Sequence, residues 1–420
     1  MTITMTSPNP PASLPFDNLP LRDAPALDLL AGCRVLDLTT SIAGPYAGQL
    51  LADMGATVVK IEKPGAGDDA RAWGPPFLHG ESLWFMSVNR GKQSITLDFS
   101  LPEGLALLRE LVIEADAVIV NLVARAQMKL GIDAQTLRAL NPRLIHVSLT
   151  GFGLKGARAD MTCYDLIAEG YSGVMDLTGE LESPPQKVGT PAADMLAGHD
   201  AAMGLLAALF RRERTGAGCE IDVAMVQSMA RFMAPRVMSY LGSGDVTRRS
   251  GGRDSVIAIY QVFETADEPM TLGLGSDAIW KRFWEAMGQP EMGVHPDYGS
   301  NAQRRANRPA IVAVIAKLLK EGSRAHWLDL LVKARVPAGP IHRVDELVMD
   351  KPLQEAGFIY QSAGLHGSIP QIGLGIEFDG QTEGTTLPPP KLGAHTEQVL
   401  REWLRCAPQD IEHLRATRVI

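Results

Sequence analysis

Cysteine is scarce in this 420-residue chain, which contains only Cys33, Cys163, Cys219 and Cys406. No two of them have C-x-x-C or zinc-ligand spacing, which argues against a disulfide framework and a thiolate metal centre. The nine histidines form no H-E-x-x-H pair, so we expect no metal site. Such a sequence suits a reducing compartment, and we expect a cytoplasmic protein without a tightly bound cofactor.

An excess of basic charge is also missing, because 40 basic and 48 acidic residues give a net charge of −8. This balance argues against a general nucleic-acid-binding protein. The beginning of the chain, "MTITMTSPNPPASLPFDNLP", lacks the basic start and apolar run of a signal peptide. No apolar run predicts a membrane span, so we expect neither nucleic acid nor membrane as a partner.

Strand and helix patterns alternate through the first two-thirds of the chain. Short aliphatic runs such as "CRVLDLTT", "TVVKIE", "SITLDF", "DAVIVNL" and "LIHVSLT" are separated by helical segments. This alternation predicts an α/β fold with a parallel sheet. We expect a flexible tail over 1–25, a large domain over 26–240, a linker over 241–256, a small α+β domain over 257–340, and a segment over 341–420 that returns to the large domain.

A possible dinucleotide fingerprint follows one predicted strand, where "TGFGLKG" places Gly151, Gly153 and Gly156 in G-x-G-x-x-G spacing. A true fingerprint follows the first strand of the sheet and begins a helix whose residues are small enough to pack against that strand. Here "ARADMTCYD" follows instead. A tight turn is therefore the favoured interpretation, and a nicotinamide site is the alternative.

Basic residues follow the predicted carboxyl ends of two strands. Lys63 and Arg71 flank "GAGDD", and Arg125 and Lys129 follow Asn121. In an open parallel sheet, ligands bind beyond the carboxyl ends of the strands. These cations predict a site for a phosphorylated ligand, with an ordinary solvated face as the alternative.

Asp165 occupies the segment "MTCYDLIAEGYSGVMDLTG", where its neighbours are small or neutral and no basic residue is close in sequence. One interpretation is a nucleophilic carboxylate in a quiet pocket, because covalent catalysis splits a difficult exchange into easier steps. The alternative is a carboxylate that caps a helix beginning at Leu166.

Several motifs in order resemble the family III CoA-transferases, a group that includes formyl-CoA transferase and carnitine CoA-transferase and shares its fold with α-methylacyl-CoA racemase. They include "VLDLTTSIAGPYAGQLLADMGATVVKIEKPGAGDDAR", "FMSVNRGKQSITLDF", "NPRLIHVSLTGFG", "YDLIAEGYSGVMDLTG" and "LGAHTEQVL". The resemblance implies a Rossmann-like large domain and a homodimer of interlocked rings. It also implies that acyl-CoA and a free carboxylic acid are the substrates.

By this resemblance, Asp165 is the nucleophile. It attacks the donor thioester to form an anhydride, and CoA then forms an aspartyl-CoA thioester that the acceptor acid resolves. The resemblance also implies contacts with CoA. The backbone of Ser41, Ile42 and Ala43 is expected near the pantetheine. The side chains of Lys63, Arg71 and Lys129 are expected to contact the phosphates or the adenine. Asn121, Leu122 and Ala124 are expected to border the nucleotide, and Phe152 takes the place of a tyrosine found in some relatives. Gly273 and Gly275 in "LGLGS" suggest a short lid.

Two other functions remain open from the sequence. In the racemase, a histidine precedes the aspartate in a "GHD" string, whereas Tyr164 stands there in this chain and is a poor base at neutral pH. The "GHD" at Gly198–Asp200 lies in a predicted long helix, and Asp194 matches the racemase's second acid but is interpreted as ordering the site. A non-catalytic CoA-binding protein is the third possibility.

The acceptor acid is suggested only weakly by the loop "TRRSGGRD". Arg248, Arg249 and Arg253 are candidates for binding the second carboxylate of a dicarboxylic acid. A solvated loop is the alternative.

Overall fold

The computed structural model describes residues 13–22, 27–364, 367–382 and 387–420. The strands are β1 (Arg34–Asp37), β2 (Thr57–Glu62), β3 (Phe77–Leu78), β4 (Glu81–Ser82), β5 (Lys92–Thr96), β6 (Ala117–Val120), β7 (Ile145–Thr150), β8 (Glu220–Ala224), β9 (Tyr260–Phe263), β10 (Met270–Gly273), β11 (Ala338–Pro340), β12 (Ile359–Gly364) and β13 (Gly367–Ile372).

The α-helices are α1 (Ala43–Asp53), α2 (Leu83–Ser87), α3 (Pro102–Ile113), α4 (Ala124–Leu130), α5 (Ala134–Leu140), α6 (Asp165–Ser172), α7 (Val174–Leu177), α8 (Ala192–Thr215), α9 (Met225–Phe232), α10 (Ala234–Ser243), α11 (Asp277–Ala286), α12 (Pro290–Gly293), α13 (Asn301–Ala306), α14 (Arg308–Leu319), α15 (Arg324–Lys333), α16 (Val344–Val348), α17 (Lys351–Glu355), α18 (Thr396–Leu404) and α19 (Pro408–Ala416). Short 3-10 helices lie at Pro15–Asn18, Asp69–Ala72 and Pro296–Tyr298.

The chain divides into two compact units. Among the described residues, unit 1 comprises those within 13–172, 189–232 and 350–420, and unit 2 comprises 173–188 and 233–349. Residues 173–188 belong to unit 2, whereas the sequence predicted them in the large domain. Contacts with residues remote in sequence hold them there: the N–H of Gly251 donates to the carbonyl of Gly179 at 2.9 Å, and Arg249 contacts the Asp176 carboxylate at 3.3 Å.

Unit 1 is an α/β unit built on a six-stranded sheet whose order is β5-β2-β1-β6-β7-β8, with every neighbouring pair parallel. Numbered along the chain within this sheet, that order is 3-2-1-4-5-6, the order of a doubly wound dinucleotide-binding fold. All four residues of β6 and all six of β7 are buried, as expected for strands covered on both faces. The order reverses between β1 and β6, which opens a crevice at their carboxyl ends.

The C-terminal segment completes the core of unit 1. Val399, Leu400 and Trp403 of α18, together with residues of α19, join the same buried cluster as the apolar face of α3 and the strand residues Val118 and Val120. Burying each such side chain contributes roughly 1.5–3 kcal/mol. The C-terminal helices are thus part of the sheet's packing layer.

Unit 2 contains a three-stranded antiparallel sheet in the order β11-β10-β9. Its core gathers Trp280, Phe283 and Trp284 of α11 with buried aliphatic residues of α14 and α15. The predicted linker over 241–256 lies within this unit, because its backbone is hydrogen-bonded there. Asp254 donates its N–H to the Tyr260 carbonyl at 2.9 Å, and Gly252 accepts from Val262 at 2.9 Å.

Gly273, one of the two glycines that suggested a short lid, lies in a strand. This residue ends β10, is paired with Tyr260 of β9, and donates its N–H to the Pro337 carbonyl at 3.0 Å. An added Cβ at Gly273 would lie 3.1 Å from the Tyr260 ring, so the glycine permits close cross-strand packing. Strand β9 on one side and Pro337 on the other thus hold the backbone of Gly273, and the lid stays a prediction.

Helix α8 is the longest helix described, with 24 residues. By length and composition it meets the criteria for a membrane span, contrary to the expectation from the sequence that no run was long enough. One side of it packs against α1, α9, β7 and β8, and 39% of its apolar window is buried. Buried helices of globular domains have the same length and composition, so these two properties alone are weak evidence for a membrane span.

Candidate active site

The turn that follows β1 is held by side chains from three directions. Thr39 donates its N–H to Asp37 at 3.0 Å, Thr40 to Asn121 at 3.2 Å, and Ser41 to Asp68 at 2.9 Å. Asn121, which follows β6, returns a hydrogen bond to the Thr40 carbonyl at 2.8 Å. These contacts tie together the two strand ends at the crevice.

Ser41 has a φ of +71°, a left-handed conformation that is unusual for a residue other than glycine. The N–H of Ser41 is held by Asp68, and Asp68 forms a fully buried ion pair with Lys60 at 2.8 Å. Strained residues of this kind are found preferentially at functional sites, where the surrounding contacts determine them. The predicted segment Ser41, Ile42 and Ala43 thus leads into α1 from a fixed turn.

A second buried ion pair lies beneath the same edge of the sheet. The ammonium group of Lys92 lies 2.8 Å from the Asp37 carboxylate and also donates to the Asn89 side chain at 2.8 Å. Burial alone would raise the pKa of Asp37, but Lys92 and then Lys60 lower it to about 2. Asp37 is therefore a permanently ionised structural carboxylate.

A cleft of about 250 Å³ opens at the crevice between the ends of β1, β2, β5 and β6. Of the residues predicted to contact CoA, it is lined by Lys63, Asn121 and Leu122. Leu97, Phe99 and Ser100 also line it, and the sequence reasoning missed them. Their signal was available, because they follow the predicted strand "SITLDF" in a parallel sheet.

Arg71 is held by another side chain. Its guanidinium donates to both carboxylate oxygens of Glu62 at 2.7 Å, donates to the Pro390 carbonyl at 3.0 Å, and lies 3.7 Å from the centre of the Phe85 ring. These contacts give Arg71 a structural role in unit 1. A phosphate ligand for it would have to compete with a bidentate ion pair.

The remaining predicted CoA contacts lie outside this cleft. Ala124 begins α4 and Lys129 lies exposed in its last turn. Phe152 follows β7 and packs edge-to-face on Tyr171, with ring centres 4.9 Å apart. Their assignments to CoA stay predictions.

Asp165 is the first residue of α6, and its side chain reaches the N-terminus of α8. Its Oδ1 atom accepts the N–H of Ala193 at 2.8 Å and the N–H of Asp194 at 3.3 Å. Pro191, at the N-cap of α8, supplies no capping side chain, so Asp165 satisfies donors that the helix cannot satisfy itself. Asp165 is therefore a capping residue, as one interpretation of the sequence held, but the helix that it caps is α8 and not a helix beginning at Leu166.

No basic side chain pairs with Asp165 in the part of the chain that the structure describes. The positive end of the α8 dipole and two N–H groups therefore hold its charge. Among the same residues, no hydrogen bond reaches Oδ2. That oxygen is available to a substrate.

Asp194 places a second carboxyl group beside the first. Burial, followed by the negative charge of Asp165, raises the pKa of Asp194 to about 7. One of the two carboxyl groups is thus substantially protonated near neutral pH, and a neutral acid is a hydrogen-bond donor. Burial and Asp194 also raise the pKa of Cys163 to about 11, which keeps this neighbouring side chain a thiol and a poor nucleophile.

Two glycines bring the surrounding segments close to Asp165. An added Cβ at Gly151 would lie 2.0 Å from the Cβ of Cys163, so this glycine lets the end of β7 pack against the residues that precede Asp165. An added Cβ at Gly198 would lie 2.7 Å from the Ala43 carbonyl oxygen. Gly198 is one helical turn from Asp194, about 6 Å along the axis, so α1 and the predicted segment at 41–43 approach the same end of α8.

The possible dinucleotide fingerprint forms no helix. Residues 151–164 are irregular, and the next helix, α6, begins at Asp165. Gly153 and Gly156 have φ values of +90° and +93°, which glycine adopts without strain. The segment is therefore a turn, as the favoured interpretation held.

The arrangement around Asp165 is suited to nucleophilic chemistry. A carboxylate with one anchored and one available oxygen can attack a carbonyl carbon, and the helix N-terminus stabilises negative charge there before and after attack. Within the described ranges, no three histidine, cysteine, aspartate or glutamate side chains are grouped so that they could hold a metal ion.

Comparison with known proteins connects this site to a family. The family model for CoA-transferase family III matches residues 30–396. The chain belongs to CoA-transferase family III.

Relatives within family III agree over most of the chain. The chain is 38% identical over 380 residues to a succinate–glutarate CoA-transferase of Agrobacterium fabrum, covering 89% of this chain and 95% of that protein. It is 38% identical over 316 residues to an acetyl-CoA:oxalate CoA-transferase of Acetobacter aceti, covering 75% and 81%. A CAIB/BAIF family protein from Brucella suis superposes with a TM-score of 0.78 at 37% identity, covering 89% and 99%.

These relationships confirm the predicted activity. The protein is an enzyme that transfers CoA from an acyl-CoA to a carboxylic acid. The racemase and the non-catalytic binding protein are set aside, consistent with Tyr164 preceding Asp165. His199, in the "GHD" string, lies inside α8, where its Nδ1 contacts the Met195 carbonyl at 3.0 Å.

Proposed function

We propose that this family III enzyme moves CoA between two dicarboxylic acids, from succinyl-CoA to an acid such as glutarate, with Asp165 as covalent nucleophile. The two acids follow the name of the similar succinate–glutarate CoA-transferase, and oxalate, the acceptor in the name of the similar acetyl-CoA:oxalate CoA-transferase, is also a dicarboxylic acid. The observation that carries the residue assignment is the Asp165 carboxylate, anchored through Oδ1 by two N–H groups of α8 and without a cation partner among the described residues.

The reaction begins when Oδ2 of Asp165 attacks the thioester carbonyl of the donor. The carbon–sulfur bond breaks, CoA leaves as a thiolate, and a mixed anhydride joins Asp165 to the donor acyl group. The thiolate then attacks the Asp165 carbonyl carbon, which forms an aspartyl-CoA thioester and releases the donor carboxylate. Two activated intermediates replace one direct exchange between thioester and acid.

The acceptor acid reverses these steps. Its carboxylate attacks the aspartyl-CoA thioester, expels the thiolate and forms a second anhydride. The thiolate attacks the acceptor carbonyl, which yields the new acyl-CoA and restores the Asp165 carboxylate. No net proton is taken up or lost in the cycle, so Asp194 is proposed to order the site. As a neutral acid it avoids a second negative charge beside the nucleophile.

CoA is proposed to place its nucleotide at the cleft lined by Lys63, Asn121 and Leu122. Lys63 and Lys129 are exposed and are the cations proposed to face the phosphates, whereas Arg71 is occupied by Glu62. The pantetheine is proposed to run along the backbone of residues 41–43 toward Asp165. The packing of Ala43 on Gly198 supports this course.

The covalent route is tested by trapping. The enzyme is mixed with succinyl-CoA without acceptor, quenched with hydroxylamine and digested for peptide mass spectrometry. Conversion of Asp165 to its hydroxamate is expected, because both intermediates are activated acyl groups on that side chain. The Asp165→Asn variant is the control and should carry no such label; an unlabelled Asp165 in an enzyme that turns over the same donor with glutarate would contradict the route.

The enzyme is further proposed to be a cytoplasmic homodimer of interlocked rings. Support comes from large apolar side chains that are more than half exposed on α8 and α9, namely Met203, Phe210 and Phe232. Exposed apolar surface of this kind favours a protein partner. Light scattering should give twice the chain mass, and dilution should release no monomer over hours because threaded chains cannot separate without unfolding; a rapid monomer–dimer exchange would argue against interlocking.

A further inference from the structure

The turn between β1 and α1 depends on a single carboxylate. Oδ1 of Asp68 accepts the N–H of Ser41 at 2.9 Å and also the N–H of Ala70 at 2.9 Å. The second of these bonds caps the short 3-10 helix at Asp69–Ala72. One oxygen atom therefore fixes two segments of unit 1 that are remote from each other in the sequence.

Asp68 is itself held firmly in place. Its Oδ2 atom lies 2.8 Å from Nζ of Lys60, and the side chains of both residues are fully buried. Its backbone N–H donates to the Glu62 carboxylate at 3.0 Å. Moving the Asp68 carboxylate away from Ser41 would break a buried ion pair, which is unfavourable because it leaves uncompensated charge in the interior.

Lys60 connects this ion pair to the same turn. Its Nζ atom also donates to the carbonyl oxygen of Thr39 at 2.8 Å. Burial lowers the pKa of Lys60, but the carboxylates of Asp37 and then Asp68 raise it above its ordinary value, so the ammonium group stays charged. Lys60 and Asp68 thus form a clamp that holds the turn through the carbonyl of Thr39 and the N–H of Ser41.

The clamp opposes the intrinsic preference of Ser41. Its φ of +71° is unfavourable for serine because the Cβ atom crowds the backbone, whereas glycine adopts such a value readily. Without the bond to Asp68, the backbone of Ser41 should return to negative φ. Ile42 and Ala43 follow directly, so this rotation would redirect the segment along which the pantetheine is proposed to run toward Asp165.

The clamp also borders the cleft proposed for the nucleotide. Thr39 and Asp68 both line this cavity of about 250 Å³. Both carboxylate oxygens of Asp68 are engaged by protein groups, Oδ1 by two N–H groups and Oδ2 by Lys60. Its negative charge would repel a phosphate. The contacts of Asp68 therefore suit a residue that acts through Ser41 rather than one that binds CoA directly.

We infer that Asp68, held by Lys60, is a positioning residue for CoA transfer, because it keeps Ser41 in the left-handed conformation that directs the backbone of residues 41–43. This inference rests on the proposed function and adds a residue that sets the path of the thioester. Misplacing a reacting group slows the chemical step. Loss of the clamp should therefore lower kcat more than it changes the KM for the donor.

The first test compares Asp68→Ala with Lys63→Ala, which alters the same cleft without touching the clamp. Transfer from succinyl-CoA is measured at saturating glutarate. Asp68→Ala should lower kcat about tenfold to a hundredfold and leave the KM for succinyl-CoA within about threefold of wild type. Lys63→Ala should mainly raise that KM. A raised KM without a lower kcat in Asp68→Ala, or wild-type kinetics, overturns the inference.

The second test restores the backbone conformation without the clamp. Glycine at position 41 adopts a φ near +71° without strain, so Ser41→Gly combined with Asp68→Ala should have a kcat at least about threefold above that of Asp68→Ala alone. In the wild-type background, where the clamp already sets this conformation, the same substitution should give no gain. A protein that had only lost stability would not regain turnover in this way, and the absence of any gain in the double variant contradicts the inference.

A variant that keeps the ion pair covers the case in which Asp68→Ala does not fold. Ser41→Val retains Lys60 and Asp68, but its β-branched side chain disfavours positive φ. It should lower kcat at least about tenfold with the KM for succinyl-CoA within about threefold of wild type, and an unchanged kcat overturns the inference. Hydroxylamine trapping separates the two proposals: an unlabelled Asp165 in the active wild type contradicts the nucleophile, whereas labelling of Asp165 together with a full kcat in these variants contradicts only the role of Asp68.

Discussion

Two carboxylates of unit 1, Asp37 and Asp165, lie in contrasting surroundings. Asp37 is completely buried, contacts the ammonium group of Lys92 and has a pKa lowered to about 2. Asp165 is partly exposed, is held by two N–H groups of α8 and lies beside Asp194, whose pKa is raised to about 7. One region concentrates opposite charges, and the other brings two acids together.

The difference separates a structural carboxylate from a reactive one. Buried ammonium groups stabilise the charge of Asp37 so strongly that its oxygens are poor nucleophiles and are occupied by partners. Backbone dipoles stabilise Asp165 without neutralising it and leave Oδ2 accessible. The same residue type therefore serves packing in one place and is proposed to perform chemistry in the other.

The largest expected effect is on turnover in Asp165→Asn. The amide keeps the size of the side chain but is not a nucleophile, so kcat should fall at least about a thousandfold. Steady-state transfer from succinyl-CoA to glutarate measures this loss, and circular dichroism during heating checks that folding is retained. A variant that kept a tenth of wild-type turnover would remove the proposed distinction between the two carboxylates.

Removing the cation beside Asp37 should instead act on stability. Lys92→Met leaves a buried carboxylate without its principal partner and should lower the free energy of unfolding by about 3–5 kcal/mol. Denaturant titration of the purified protein measures this change. The matched control is Arg401→Met, which removes an exposed ion pair with Glu397 and should cost less than about 1 kcal/mol; equal losses in the two variants would contradict the assignment.

Asp194 should impose a pH dependence of the opposite sign to that of Asp37. Its pKa is raised on folding from an ordinary value near 4 to about 7, so the folded state retains a proton that the unfolded state releases. The stabilising contribution of this proton is full below the ordinary pKa and is lost as pH rises through about 7, by at most about 1.4 kcal/mol per pH unit.

The Asp194→Asn variant should remove that contribution, because asparagine has no proton to lose. As pH rises from 4 to 7, the free energy of unfolding of the wild type should therefore fall relative to that of the variant. Above pH 7 the difference between the two proteins should become constant. Urea titrations at four pH values measure it. A constant difference across this range would show that Asp194 is not a protonated acid in the folded enzyme.

The smallest expected effects concern the cations near the predicted nucleotide cleft. Lys63→Ala should raise the KM for acyl-CoA roughly three- to tenfold without a change in stability, because an exposed lysine that contacts phosphate contributes modestly. Arg71→Ala should mainly lower stability, since its guanidinium is paired with Glu62. Initial rates and thermal unfolding of both variants measure the contrast, and a higher KM for Arg71→Ala than for Lys63→Ala would reverse it.

Much of the fold was accessible from local patterns. Runs such as "DAVIVNL" and "LIHVSLT" predicted the parallel α/β sheet, and the resemblance of ordered motifs predicted the family. The sequence did not predict that residues 173–188 belong to unit 2 or that Gly273 of β10 pairs with Tyr260 of β9. Both depend on hydrogen bonds to segments that are remote in sequence, such as Gly251 and Pro337.

By itself, the sequence determined the class of fold, the family and the choice of Asp165 as the candidate nucleophile, because each is written in short contiguous patterns. Only the tertiary structure decided which charges are available. Lys92 reaches Asp37 across 55 residues and Asp165 reaches Ala193 across 28. Whether a charged side chain is neutralised, desolvated or free to bind a substrate depends on such distant neighbours, because electrostatic energies are set by distance and burial.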